Sequence, residues 1–237
     1  MTELVYTPSQ IEGWEKFASF YLDPQQTVMK LKGAAGTGKS TLIQMLLTRL
    51  PQLDRMRRLV DPQFKGMAVV MTATTNQAAL SLKEATGTHL ETKTIHSAIG
   101  VRPQKDYETG ITTLVTRRGA EKLRDSLVII DEASYIDREL LQKIMQNSEN
   151  CKFLFVGDPS QLTPVSSTYM PAFEMYGEEA TLRDLVRFDD GPLIQMVTNL
   201  RDTVENGNWH KFQLVPGVIE HVDQATFLAM AEHSFTK

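Results

Sequence analysis

Gly33-Ala34-Ala35-Gly36-Thr37-Gly38-Lys39-Ser40 sets a glycine, four residues and then Gly-Lys-Ser in one unbroken run. Each residue type has a chemical reason. Small residues let successive backbone N–H groups curl around an anion, and a helix starting near Lys39 points the positive end of its dipole at the same spot. The Lys39 ammonium can reach the terminal phosphates of a nucleoside triphosphate, and the Ser40 hydroxyl can hold Mg²⁺. The expected nucleotide-contacting set runs from Gly33 through Ala34, Ala35, Gly36, Thr37, Gly38, Lys39 and Ser40 to Thr41.

Two further clusters fit the same chemistry. Asp131-Glu132 follows the apolar run Leu127–Ile130. A carboxylate at the end of a buried strand lies at the crevice where open α/β sheets bind ligands. Asp131 would hold Mg²⁺ through water, and Glu132 would accept a proton from the attacking water. Gly157-Asp158-Pro159-Ser160-Gln161-Leu162 follows the next apolar run, and an amide at Gln161 can sense the terminal phosphate and the water together.

The elements that must carry these groups are legible as an alternation. Apolar spacing predicts a helix over Ile11–Tyr21, a strand at Val28–Lys32, and a helix from Thr41 to Leu50 that Pro51 closes. Met67–Thr72 reads as a strand, Asn76–Ala85 as a helix, Leu127–Ile130 as a strand, Arg138–Gln146 as a helix and Lys152–Val156 as a strand. Strands without polar alternation between helices imply an α/β fold, a mostly parallel sheet covered on both faces. Val101–Tyr107 and Ile111–Thr116, flanking Glu108-Thr109-Gly110, predict a small inserted β-hairpin. From Gly177 onward the pattern reads as mostly helical, and Trp14 and Trp209 read as core residues.

With these motifs in order, the sequence resembles the superfamily-one helicases of the five-prime-to-three-prime kind, the RecD and Dda-like group. The resemblance runs from Thr7 to about Trp209 and implies a RecA-like P-loop NTPase using ATP and Mg²⁺ on single-stranded DNA. It implies that Gln10, in Thr7-Pro-Ser-Gln10, contacts the adenine base. It places DNA contacts at Thr72, Thr74, Thr75 and Asn76, with threonine at 74 where the family has proline, and at Thr94, His96 and Ser97. Arg187 falls where the family has an arginine reaching the γ-phosphate. The hairpin matches its strand-separating pin, with Tyr107 near the tip. Residues 1–99 and 119–210 would form the ATP-binding domain and 100–118 the pin. Residues 211–237 would start the connection to a second RecA-like domain, absent here and a candidate partner beside replication or recombination proteins. A nucleotide- and DNA-binding regulatory remnant without motor activity is the alternative. A small-molecule kinase fits less well, because Gly157–Gln161 and Thr94–Ser97 have no place in one.

Composition sets outer bounds. The 237 residues carry a net charge of −4, so bulk electrostatics argue mildly against nucleic acid, although translocating proteins often hold phosphates with backbone amides and hydroxyls rather than a basic surface. Basic residues cluster only at Arg55, Arg57 and Arg58 and at Arg117, Arg118, Lys122 and Arg124. No apolar stretch reaches membrane-span length, and no signal-like segment opens the chain. A single cysteine, Cys151, excludes an internal disulfide and suits a reducing cytoplasm, that of a host if the source is viral.

Overall fold

The computed structural model describes residues 5–105, 110, 112–161, 169–186, 191–211 and 213–235. The chain divides into two compact units, Met1–Arg187 and Phe188–Lys237. The first opens with α1 (Pro8–Leu22), which Thr7 caps reciprocally. Thr7 Oγ1 accepts from the Gln10 N–H, and Gln10 Oε1 accepts from the Thr7 N–H. Next come β1 (Val28–Gly33), α2 (Lys39–Val60), β2 (Ala68–Ala73), α3 (Asn76–Thr86), β3 (Thr92–Thr94) and α4 (Ile95–Ala98). The hairpin strands β4 (Val101–Lys105) and β5 (Thr112–Thr116) follow, then β6 (Leu123–Arg124), β7 (Ser126–Asp131), a 3-10 turn at Ala133–Tyr135 and α5 (Arg138–Gln146). β8 (Ser148–Glu149), β9 (Lys152–Gly157), α6 (Pro171–Glu174) and β10 (Glu178–Leu182) complete the unit.

Six strands pair in parallel in the order β10-β1-β9-β7-β2-β3. Alternation along each strand sorts its side chains between two cores. Leu127 and Ile129 of β7 join Phe17 of α1 and Leu42 and Leu46 of α2 on one face. Val128 and Ile130 join Ile95 of α4 and Leu140 and Ile144 of α5 on the other. A strand buried on both faces has no polar side to display, which is why these runs read as continuously apolar.

Three expectations are corrected. α2 does not close at Pro51 but runs to Val60. Leu50 and Leu53 on either side of the proline both insert into the core. Beyond them Asp54 accepts from Tyr21 Oη at 2.6 Å, and Arg57 donates to the Tyr21 carbonyl at 3.2 Å. Pro51 itself is exposed, so water can satisfy the carbonyl its ring leaves without a partner. Second, Glu178–Leu182 is a strand, although the segment reads as helical. Glu179 is explained by β1, since it pairs with Lys30 at 3.2 Å and Lys32 at 2.8 Å. Third, Trp209 is 90% exposed, whereas Trp14 packs on the first core under Arg49.

The second unit holds α7 (Pro192–Asn206) and α8 (Gln224–Phe235), with an isolated bridge between Val215 and Ile219. Ile194, Gln195 and Asn199 of α7 share a cavity of about 660 Å³ with Lys211, Gln213 and Val215. Among the described residues no helix is long and apolar enough to cross a membrane.

Candidate active site

The sheet's carboxyl edge assembles the site. β1 ends at Gly33 and the chain turns through the loop into α2. Gly36 and Gly38 take φ of 83° and 81°, left-handed values that cost a residue with a Cβ. Space is also short at Gly38, where a Cβ would stand 2.3 Å from Gln10 Nε2. The loop is braced from within. Thr37 Oγ1 donates to the Ala34 carbonyl at 2.9 Å, and Lys39 Nζ donates to the carbonyls of Gly33 at 2.8 Å and Ala34 at 2.9 Å.

β7 delivers Asp131 to the same edge, in register with Ala73 of β2. Glu132 leaves the strand with φ 54° and donates its N–H to Asp131 Oδ1 at 2.9 Å. Burial pushes the Asp131 carboxyl above its usual range, against the Glu132 N–H and Lys39. Burial, and then the Asp131 charge, raises Glu132 against the pull of Lys39. The Asp-Pro turn after β9 is anchored by Asp158. Its side chain accepts from the Ser160 N–H at 3.0 Å and its carbonyl from the Gln161 N–H at 3.2 Å.

Gln10, Ala35, Gly36, Gly38, Lys39, Ser40, Thr41, Asp131, Glu132 and Gln161 line one cleft of about 940 Å³. Gly33, Ala34 and Thr37 are not on its wall; they are buried behind it and shape the loop. Sequence reasoning missed the rest of the wall. Ser81, Glu84 and Ala85 of α3 share a face at helical spacing, with Leu82 beside them, and Val5 and Val186 complete the cleft. The only sequence signal for the α3 residues is that spacing.

The positions implied for DNA contact meet at the neighbouring strand ends, where Ala73 is in register with Asp131 on one side and Thr94 on the other. Thr75 caps α3 by accepting from the Ala78 N–H at 3.1 Å, and Thr94 caps α4 by accepting from the Ser97 N–H at 3.2 Å. Asn76 and Ser97 are exposed and His96 is half-buried, which holds its imidazole below the usual range. Thr72 is corrected: it is fully buried and its hydroxyl donates to the Ile129 carbonyl at 2.9 Å, so it offers a bound strand no surface. The Thr74 hydroxyl is buried without a partner. Tyr107 and Arg187 lie outside the described residues. The hairpin stem is paired from Val101↔Thr116 to Lys105↔Thr112 and held to α5 by the Leu114 N–H, which donates to Glu139 at 2.6 Å.

A glycine loop with its lysine, two carboxylates and an amide on the carboxyl edge of a parallel sheet define a P-loop nucleotide-binding domain of the RecA-like class. The chain belongs to the AAA-domain family, whose model matches residues 21–167. It is similar to the ATP-dependent DNA helicase PIF1 of Trypanosoma brucei brucei, 30% identical over 116 residues that make up 49% of this chain and 9% of that protein. It is also similar to the RecBCD enzyme subunit RecD of Buchnera aphidicola, 25% identical over 148 residues, 57% of this chain and 22% of that one. The crystal structure of Bacteroides Pif1 bound to ssDNA shares its fold, with a TM-score of 0.55 at 18% identity over 85% of this chain and 47% of that chain. The chain thus spans less than half the length of each of these proteins. The resemblance to the RecD group and the α/β fold both stand with them.

Proposed function

We propose that this domain binds Mg²⁺–ATP and hydrolyses it to drive movement along single-stranded DNA, as the first motor domain of a five-prime-to-three-prime helicase. The observation that carries the reading is the single cleft in which the loop, Lys39, Asp131, Glu132 and Gln161 converge. The residues fit the nucleotide and its cation. Gly36 and Gly38 take the left-handed conformations that let the loop curl, and the Ser40 hydroxyl and Asp131 carboxylate line the same cleft. Ser40 and Asp131 would hold Mg²⁺, which supplies positive charge at the phosphates. Lys39 would exchange its loop carbonyls for phosphate oxygens. Glu132 takes the proton of the attacking water, for which its raised affinity for protons suits it. Gln161 orients that water.

DNA would cross the strand ends carrying Thr75, Asn76, Thr94, His96 and Ser97. Strand register supports coupling, since Ala73 alone separates Asp131 from Thr94. A second RecA-like domain is the proposed partner across the cleft, and a reducing cytoplasm the proposed setting. Phosphate release measured with and without single-stranded DNA tests the reading. DNA-stimulated release that Lys39→Ala abolishes is expected; release insensitive to that change would sink it.

A further inference from the structure

Three stretches far apart in sequence close around part of the cleft: residues 7–10, the phosphate loop and residues 183–186. Ser9 Oγ donates to Asp184 Oδ2 at 2.6 Å, and the Ser9 N–H reaches the same oxygen at 3.2 Å. The Arg183 N–H donates back to Ser9 Oγ at 3.3 Å. Two residues past Asp184, the Val186 N–H donates to the Gly36 carbonyl at 2.9 Å. The Gln10 amide donates to the Gly38 carbonyl at 3.2 Å while accepting from the Thr7 N–H.

The chemistry differs along the cleft. Lys39, Ser40, Asp131 and Glu132 suit phosphates and a cation, whereas the Gln10 amide beside Val5 and Val186 suits a planar base with a hydrogen-bonding edge. The supports differ as well. Thr37 and Lys39 brace the phosphate loop from inside, but Gly36 and Gly38 are held from outside by Val186 and Gln10.

We infer that Asp184 is a positioning residue for the nucleobase, tying the 183–186 strap to α1 so that Val186 and Gln10 keep their places at the cleft wall. The inference rests on the nucleotide reading proposed above. A carboxylate suits the task because the first turn of a helix has N–H groups without intrahelical partners and favours negative charge. The bonds from Ser9 hold its carboxyl below the usual aspartate range.

Calorimetric titration of the 237-residue chain with Mg²⁺–ATP and, separately, with Mg²⁺–tripolyphosphate tests this, with Tm recorded alongside. Asp184→Ala should weaken ATP binding about tenfold, the loss of roughly one charge-assisted hydrogen-bond pair, and weaken tripolyphosphate binding clearly less, since Thr37 and Lys39 still brace the loop from inside. Asp184→Asn, which keeps an acceptor oxygen, should recover part of the loss. Ser9→Ala combined with Asp184→Ala should bind ATP no more weakly than Asp184→Ala alone. Equal ATP affinity in Asp184→Ala and wild type would overturn the inference, as would equal weakening toward both ligands with a lowered Tm. If wild type bound neither ligand, or Lys39→Ala bound both normally, the nucleotide reading itself would fall, and the inference with it.

Discussion

The Glu132 N–H donates to the Asp131 carboxylate at 2.9 Å from a residue whose own φ is 54°. A continuing strand would send adjacent side chains to opposite faces. The left-handed turn at Glu132 instead brings both carboxylates to the wall of one cleft. A non-glycine residue in that conformation costs about 1–2 kcal/mol, so the surrounding turn must hold it there.

Glu132→Gln should keep nucleotide affinity and lower hydrolysis about a hundredfold or more, since it removes the proton acceptor and leaves Asp131 and Ser40 in place. Steady-state phosphate release and nucleotide titration on the same preparation check both halves. In wild type the carboxylate must be ionised to act. In the free chain burial, and then the Asp131 charge, raise its affinity for protons. Normal turnover by Glu132→Gln would assign the water to another group.

The same two carboxyls should cost stability at neutral pH. Both are raised in the folded state, so the folded chain binds their protons more tightly than the unfolded chain does. Stability is then lost as pH climbs from the unfolded values through the folded ones. Asp131→Asn should melt higher than wild type at pH 7, and the gap should close toward pH 4. A gap independent of pH would show that burial of the charge is not the cause.

Lys39→Ala should weaken nucleotide binding about ten- to a hundredfold, the range for losing a charge-assisted hydrogen bond, with little change in Tm. Its ammonium donates to the carbonyls of Gly33 and Ala34, and the Ala34 carbonyl also accepts from Thr37. A large fall in Tm would make the lysine structural.

His96→Ala should weaken single-strand affinity, and so should Thr94→Val. Thr94→Ser keeps the hydroxyl and the cap on Ser97 and should be silent, and an unchanged Tm for Thr94→Val would assign its loss to contact rather than folding. The His96 imidazole is held below 6.5 by burial, against the charge of Asp137. It is therefore neutral at pH 7, and DNA affinity should not climb between pH 8 and pH 7 on its account. Fluorescence anisotropy with a labelled oligonucleotide reads all of these, and a steep rise over that interval would contradict the neutral form.

Lys152 is buried at the start of β9, and its ammonium donates to the carbonyls of Phe20 at 2.9 Å, Asp23 at 2.7 Å and Gln26. Lys152→Met should cost about 2–4 kcal/mol in denaturant unfolding, from carbonyls left without donors. Burial, then Arg57, pushes its pKa down from 10.5 to about 8. Between those values the unfolded chain keeps a proton the folded chain has shed, so this site's contribution should rise with pH across the interval and vanish in the mutant.

What could be read from residues alone was local. The phosphate loop needs only a strand, a glycine turn and a helix in succession, and Asp131-Glu132 and Gln161 announce themselves by following apolar strands. The hairpin stem was legible for the same reason, in two runs flanking a glycine turn. Partners distant in sequence decided the rest. α2 outlasts Pro51 because Leu53, Asp54 and Arg57 find the core and Tyr21. Glu178–Leu182 becomes a strand because Lys30 and Lys32 stand opposite Glu179. Thr72 leaves the surface because its hydroxyl finds the Ile129 carbonyl on the next strand, and Asp184 gains its proposed role only when folding brings Ser9 beside it. Each of these depends on a contact that sequence separation hides, since propensity acts along the chain and burial and pairing act across it.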